Sequence, residues 1–545
     1  MGPVHAFRLA FAAAALTLAA PPAAAQCPFT PKLLAGDGSA GDSFGDAVSL
    51  SGERALVGAA DGLLGQDGPG MAYVFERCGS EWIEIARLVP SDGVVGDRFG
   101  AAVALDGDTA LVGAPEAGDE GAVYIFERSG PDWIQVAKRT AITGASGDRY
   151  GDAVALDGEW AFVGAWGDDD QGSQSGSVWI YERNGGLWSF EAKLLPGGVD
   201  ASDAFGISVD VSGDWAVVGA EGDGDGGFLA GAVYVFEFDA GSWSEYQKVV
   251  PAGAGFTANF GHSVAIDGSY FAAGAPADDP LGLTDAGSAS VYRLTFNLFP
   301  TPPSWNFQQQ LVASDAASQD NFGASVGIDG KRVVVGSPLD DDGAAAAGSA
   351  YLFERNIVTW NEIEKLAAGD PVLLHLFGGS VAVAGDYLAA GAVGDDDLGS
   401  AAGAAYVFSA TGDCGGPPPC GNLTYGAGAS AANVLGLNNA GGTATGTTAQ
   451  IATSGVTSGV AFTALSLGSD HADLLGGVVL VDQALLIQLE TVPAVAGTAT
   501  WAVPIPANFA LVGLPVYFQS LAAEPLLPLG TAFSNGLRLI ICPLV

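Results

Sequence analysis

The sequence predicts an all-β protein: a seven-bladed β-propeller over residues 29–408, then a small C-terminal β-sandwich-like domain. Three observations predict it. An aromatic-Gly pair recurs seven times, at Phe44-Gly45, Phe99-Gly100, Tyr150-Gly151, Phe205-Gly206, Phe260-Gly261, Phe322-Gly323 and Phe377-Gly378. Fourteen residues after each aromatic stands a glycine followed by a small residue: Gly58, Gly113, Gly164, Gly219, Gly274, Gly336 and Gly391. The spacing inside each copy is fixed while the distance between copies varies, as expected of a structural repeat with surface loops. Each copy alternates apolar and polar residues between Asp-Gly and Gly-rich turns, the pattern of short antiparallel strands.

The elements follow in order. Residues 1–25 read as a secretory signal, with His5 and Arg8 in a polar start, an apolar run over 9–20, and Ala23-Ala24-Ala25 as the cleavage site. That run falls short of the roughly 20 apolar residues a membrane span needs. The mature chain is therefore expected to be exported, with no transmembrane segment. A lipoprotein with Cys27 lipidated is the weaker reading, because Gln26 is a poor residue before the modified cysteine. In the second copy, Phe99-Gly100-Ala101-Ala102-Val103-Ala104-Leu105 alternates into a strand and Asp106-Gly107-Asp108 turns. Ala110-Leu111-Val112-Gly113 returns, and Ala122-Val123-Tyr124-Ile125-Phe126 and Trp133-Ile134-Gln135-Val136-Ala137-Lys138 complete four strands. One such meander cannot bury both faces, but radial stacking covers each sheet with its neighbours. The aromatic is expected to wedge between adjacent sheets, and the small Gly-Ala pair to let backbones approach.

Closure of the ring is legible too. Six copies end in a fourth strand carrying Trp82, Trp133, Trp188, Trp243, Trp305 or Trp360, several finishing in Lys-Leu (Lys193-Leu194, Lys365-Leu366). The seventh stops at Tyr406-Val407-Phe408, and the missing strand stands at the other end as Pro31-Lys32-Leu33-Leu34. Residues 409–420 form a Gly/Pro-rich linker containing Gly415-Gly416-Pro417-Pro418-Pro419. In residues 421–545 alternating runs such as Gly477-Val478-Val479-Leu480-Val481 give the sandwich-like reading. The segments Pro515-Val516-Tyr517-Phe518-Gln519-Ser520 and Ser534-Asn535-Gly536-Leu537 resemble a C-terminal domain recurring on secreted bacterial proteins. That resemblance implies sorting, surface attachment or a plain accessory role.

Phe99-Gly100 with Val112-Gly113-Ala114-Pro115, and Phe260-Gly261 with Ala273-Gly274-Ala275-Pro276, carry a further resemblance. The seven copies resemble FG-GAP repeats, the module of integrin α-subunit propellers and of many secreted bacterial proteins. The resemblance implies a binding or adhesion role. Integrin-type repeats often hold calcium in the hairpin before the Gly-Ala-Pro, but here that hairpin is cut to Asp106-Gly107-Asp108 or Ser212-Gly213-Asp214, too short to wrap an ion.

The acidic loops instead follow the Gly-Ala. Strand direction puts these loops and the links between blades on one face of the disc, which should be markedly negative. Calcium is the expected cation there, because such loops supply carboxylates and carbonyls in flexible backbone. The candidate metal ligands are Asp168, Asp169, Asp170, Asp223, Asp225, Asp340, Asp341, Asp342, Asp395, Asp396 and Asp397. Consecutive aspartates point to alternate sides, so weak sites are expected, with solvated loops holding no ordered ion as the equal alternative.

The formal net charge is −42, nearly all of it before residue 421. Such a surface repels phosphate backbones and excludes nucleic acid as a partner. Partners are expected to be cations, basic proteins or glycans at the propeller face. No catalytic residue is identified. His262 lies in a repeat strand and not in the strand-turn-helix setting of a nucleophile elbow, and His375 and His471 stand isolated in the sequence. The reading is a secreted or cell-surface adhesion propeller, non-catalytic. An extracellular hydrolase or lyase, or a structural part of the cell envelope, are the alternatives. Ring closure brings Cys27 and Cys414 together, Cys420 and Cys542 bracket the tail domain, and Cys78 is left as the unpaired fifth cysteine.

Overall fold

A computed structural model describes residues 32–60, 68–78, 81–251, 257–295 and 302–410, together with strand segments between residues 437 and 540. The chain divides into two compact units, Met1–Gly421 and Asn422–Val545. The first contains seven four-stranded antiparallel sheets, which are the seven blades of a propeller. The described residues include one short 3₁₀ turn, Pro280–Gly282, and no helix long and apolar enough to cross a membrane.

Blade 1 shows the pattern, with strands Phe44–Ser51, Arg54–Ala59, Met71–Cys78 and Glu81–Leu88. The second strand is buried beyond its first residue and the third is buried over residues 72–75, while the fourth, with few buried residues, is the outer rim. Third and fourth strands of the six sequence-continuous blades share a register shift at one place, Val74/Phe75 in blade 1 and Val235/Phe236 in blade 4. Such a bulge adds the twist that a radial sheet needs. Blade 7 is built from Val381–Ala384, Tyr387–Ala392, Ala404–Ser409 and, from the other end of the propeller, Lys32–Leu33. Lys32 pairs with Tyr406 and Leu33 with Ala405. The ring closes as the missing fourth strand predicts.

The hydrophobic core is seven cores, one at each blade junction. Phe205, Val218 and Tyr234 of blade 4 pack with Phe162 and Ile180 of blade 3, and Phe44 and Tyr73 of blade 1 pack with Leu33 and Val407 of blade 7. The repeated aromatics are fully buried, and Phe44 meets Tyr73 edge-on at 5.4 Å, as Phe377 meets Tyr406. Rim tryptophans reach back onto the preceding blade: Trp82 meets Tyr387, Trp305 meets Trp215 and Trp360 meets Tyr270.

Backbone contacts join each blade to the next. The Phe99 N–H donates to the Pro69 carbonyl at 2.7 Å, and the same bond recurs through to Phe44 N–H and the Ala402 carbonyl, 2.9 Å, across the closure. A Cβ on Gly113 would coincide with the carbonyl oxygen of Gly151, and one on Gly391 with that of Gly45. On the opposite face, the Gly158, Gly213, Gly330 and Gly385 N–H groups donate to Asp106, Asp157, Asp267 and Asp329 of the preceding blade.

Cys78, read as the leftover thiol, is disulfide-bonded. The expectation that Cys78 is the unpaired cysteine is thereby corrected. The physical reason is location: Arg77 lies 5.2 Å from the Tyr387 ring centroid, which places the Cys78 hairpin at the blade 7/blade 1 junction where the propeller's ends meet. The sibling positions Ser129 and Asn184 end the third strands of blades 2 and 3, away from that junction. The signal, the linker and the remaining cysteines lie outside the described residues. In the second unit the strands pair antiparallel, for example Val460–Leu467 with Pro515–Ala523, and the sandwich-like arrangement rests on residues outside those described.

Because one short strand completes blade 7, deleting residues 26–36 is expected to lower the melting temperature of the whole propeller in one cooperative step. Calorimetry of the truncated chain checks this, and wild-type melting would refute the closure.

Candidate functional site

The acidic loops are built on an Asp-x-Asp turn directly after the second strand. Asp223 is buried, and its Oδ1 accepts the backbone N–H of Asp225 at 3.0 Å. The same bond joins Asp168 to Asp170, Asp340 to Asp342 and Asp395 to Asp397 at 2.9–3.1 Å. Short polar side chains that bond their own backbone two residues on are how such turns hold their shape. The second oxygen faces the sheet, where the Tyr234, Tyr351 and Tyr406 hydroxyls donate to Asp223, Asp340 and Asp395 at 3.0, 2.6 and 3.2 Å. In blade 3, where the tyrosine is Trp179, Ser177 Oγ donates to Asp168 at 2.8 Å instead.

Between the aspartates at the first and third positions of each turn sits a lysine Nζ. Lys248 lies 2.6 Å from both Asp223 and Asp225. Lys193 lies 2.6 Å from Asp168 and 2.7 Å from Asp170. Lys365 lies 2.8 Å from Asp340 and 2.7 Å from Asp342, and Lys32 lies 2.6 Å from both Asp395 and Asp397. Each lysine comes from the end of the fourth strand, directly opposite the aromatic of the third: Lys248 pairs with Tyr234 and Lys365 with Tyr351. Burial opposes the ammonium charge, but hydrogen bonds to the aspartates outweigh it, and the pKa of Lys32, Lys193, Lys248 and Lys365 is raised.

Of the candidate metal ligands, the structure thus brings Asp168 with Asp170, Asp223 with Asp225, Asp340 with Asp342 and Asp395 with Asp397 together. Asp169, Asp341 and Asp396 are exposed between them. Blades 6 and 7 add a third carboxylate from the link between blades. Asp315 lies 2.8 Å from Lys365, and Asp370 lies 2.8 Å from Lys32. Among the described residues, two groups have ligand atoms close enough to share a cation, Asp315 with Asp340 and Asp342 and Asp370 with His375 and Asp395, and a lysine ammonium already lies on the carboxylates of each. A calcium ion takes six to eight oxygens, so the buried sets suit the ammonium and do not fit a resident calcium.

The other link aspartates are structural. Asp148 and Asp203 are buried and accept the N–H of the residue three before them at 2.7 Å. Burial raises the pKa of both.

The histidines gain neighbours that the sequence left unassigned. His262 Nδ1 lies 2.6 Å from Glu221 of the preceding blade. His375, isolated in sequence, is buried with Nε2 3.7 Å from Asp395, beside the Lys32 cluster. The capping lysines were the functional residues the sequence reading passed over. Their signal was present in the recurrent Lys-Leu ending of the fourth strand.

One innermost carboxyl is unlike its siblings. Asp210 accepts the backbone N–H of Ile266 in the next blade at 2.7 Å, where blade 1 uses Ser49 toward Leu105. It is half-buried by exposed area, but it is enclosed by innermost strands, and that burial pushes its pKa up to about 7, against the backbone donors that lower it.

A family profile described as FG-GAP repeat matches residues 29–75, 82–126, 133–181, 188–236, 243–292, 305–353 and 360–408. Each matched segment begins at or near a fourth strand, so the sequence repeat is offset from the blade. No curated protein matches the chain. Among solved structures, the chain is similar to a periplasmic gluconolactonase of Pseudomonas aeruginosa, at 16% identity and TM-score 0.40, over 60% of this chain and 86% of that one. It is also similar to a candidate 6-phosphogluconolactonase of Bacteroides uniformis, at 14% identity and TM-score 0.41, over 59% and 85%.

Two predictions follow from the charges. Lys248→Met leaves Asp223 buried without its counter-charge and is expected to destabilise by about 1–3 kcal/mol, whereas Asp225→Asn on the exposed side should cost roughly 0–1 kcal/mol. Denaturant melts of the two variants check the order. For Asp210 the folded pKa lies above the unfolded one, so the stability its proton confers is full below the ordinary carboxylate range and is lost as pH rises through about 7. Asp210→Asn should therefore gain in melting temperature over wild type as pH is raised from the ordinary carboxylate range to about 7 and level off above it, and a pH-independent difference over that range would refute the assignment.

Proposed function

Because the chain belongs to the FG-GAP repeat family, we propose that it is an exported, non-catalytic binding propeller whose acidic face engages a protein or glycan outside the cell or at its surface. The observation that carries this reading is the use made of the carboxylates. Each buried aspartate of the turns is a counter-ion to a lysine of its own blade, which removes it from acid–base chemistry and stiffens the loop. Asp169, Asp341 and Asp396 remain on the solvent side, held on rigid turns. Rigid loops on a closed scaffold bind without a large ordering cost. Exposed charge of one sign steers basic partners and sets their orientation.

Calcium enters this reading only as a weak bridge at the exposed aspartates. Affinity would be that of extracellular modules, roughly 10⁻⁴–10⁻³ M, because the buried oxygens are already committed to lysine.

The test is a glycan and basic-protein array probed with the full chain, run beside a hydrolase and lyase screen. Saturable binding is expected that weakens with salt and is lost in the triple variant Asp169→Lys, Asp341→Lys, Asp396→Lys at unchanged melting temperature. Substrate turnover without array binding would overturn the proposal in favour of an enzyme.

A further inference from the structure

The sevenfold pattern breaks in blade 5. In the other six blades an aromatic residue of the third strand stands opposite a basic residue of the fourth: Tyr73 and Arg87, Tyr124 and Lys138, Trp179 and Lys193, Tyr234 and Lys248, Tyr351 and Lys365, Tyr406 and Lys32. The cation lies over the ring, between 4.9 Å from its centroid in blade 3 and 5.9 Å in blade 1. In blade 5 the same register places Ser290 opposite Gln310. Ring and cation are both gone.

The acid of the set is kept. Asp278 occupies the place of Asp223, its carbonyl accepting the Gly287 N–H at 3.0 Å as that of Asp223 accepts the Gly231 N–H at 2.9 Å. Its Oδ2 accepts from Ser288 Oγ at 2.6 Å and from Gln310 Nε2 at 2.8 Å, both neutral donors. Among the described residues no lysine or arginine pairs with it. Where the tyrosine ring and lysine stem of the siblings would lie, there is a cavity of about 430 Å³. Phe260, Tyr292 and Phe307 wall it, and Asp278 and Ser290 supply polar groups. That size falls within the range of small-molecule sites, roughly 300–1,000 Å³.

We propose that blade 5 is a binding site for a small organic ammonium ion, an amine carried on an aromatic body. The ligand supplies what the blade lacks: a positive charge for the Asp278 carboxylate and a ring for the space vacated at Ser290. The siblings show the geometry, an ammonium 2.6–2.8 Å from the aspartate with a ring beneath it. A hydrated metal ion is disfavoured by the aromatic walls, since polar groups placed against apolar surface lose hydrogen bonds they are not given back. A neutral ligand of the same shape would leave the carboxylate without a counter-charge. This site stands apart from the adhesive reading of the acidic face and does not depend on it.

The test uses the full chain and three probes in calorimetry: phenethylamine at neutral pH, 2-phenylethanol as its uncharged counterpart, and calcium chloride. Saturable binding of the amine is expected, with the alcohol at least about tenfold weaker, the loss of one charge-assisted hydrogen bond. Asp278→Asn should lose a similar factor. The double variant Ser290→Tyr, Gln310→Lys restores the sibling pair, and should abolish amine binding while melting at or above wild type. Gln310→Lys alone, which sets a lysine on Asp278, gives the same readout should the added ring disturb packing. Equal binding of amine and alcohol, preference for calcium, survival of amine binding in the folded double variant, or no saturable heat at millimolar amine would each overturn the proposal.

Discussion

The whole propeller depends on how closely one backbone can approach the next. At each of the seven junctions the glycine of the second strand lies against the carbonyl of the aromatic-Gly pair in the following blade, from Gly58 against Gly100 round to Gly391 against Gly45. No side chain fits there. With the backbones in contact, the first strands pack side by side around the centre, and the aromatic rings fill the wider space between sheets farther out. Because the core is divided among junctions and not among blades, no blade owns a complete core. The cooperativity of the ring follows from this. A repeat whose hydrophobic faces are satisfied only by neighbours cannot afford a free edge, and the strand at Lys32 removes the last one.

The same strand links folding to charge. Lys32 closes blade 7 by its backbone and caps Asp370, Asp395 and Asp397 by its side chain. The ammonium groups of Lys193, Lys248 and Lys365 do the equivalent work within their own blades. A chain with a net charge of −42 would otherwise hold rows of buried carboxylates close together at one face. Lysines pair with buried Asp168, Asp223, Asp340 and Asp395, while buried Asp97, Asp148, Asp203 and Asp320 accept backbone N–H groups of their own loops. In blades 3, 6 and 7 an exposed aspartate, Asp169, Asp341 or Asp396, thus overlies a buried ion pair.

Blade 5 shows how much information lies in a repeat that departs from its own rule. Ser290 and Gln310 are unremarkable residues in isolation. They acquire meaning because six registered siblings carry an aromatic and a cation there, and because Asp278 is retained although its counter-ion is not. In the sequence the departure is hidden, because the fourth strand of blade 5 ends Gln310-Leu311 where its siblings place Lys or Arg before a variable last residue, and Tyr292 stands two residues after Ser290.

By itself the sequence determined the number of blades, the order of strands and the strand that closes the ring. All of these follow from local patterning repeated at fixed spacing: Phe44-Gly45 and its six siblings, the glycines fourteen residues on, and the fourth strand absent after Phe408. Contacts between residues far apart in the chain were decided only by the tertiary structure. Lysines capping aspartates some 23 residues earlier, the bonded state of Cys78 and the cavity of blade 5 depend on cross-strand register and on which blade lies beside which. The residue before each aromatic is a further case. Ser43, Arg98, Arg149, Ala204, Asn259, Asn321 and Leu376 all adopt φ between 55° and 60°, a conformation their side chains disfavour. It is imposed by the following blade-to-blade hydrogen bond, which no local propensity encodes.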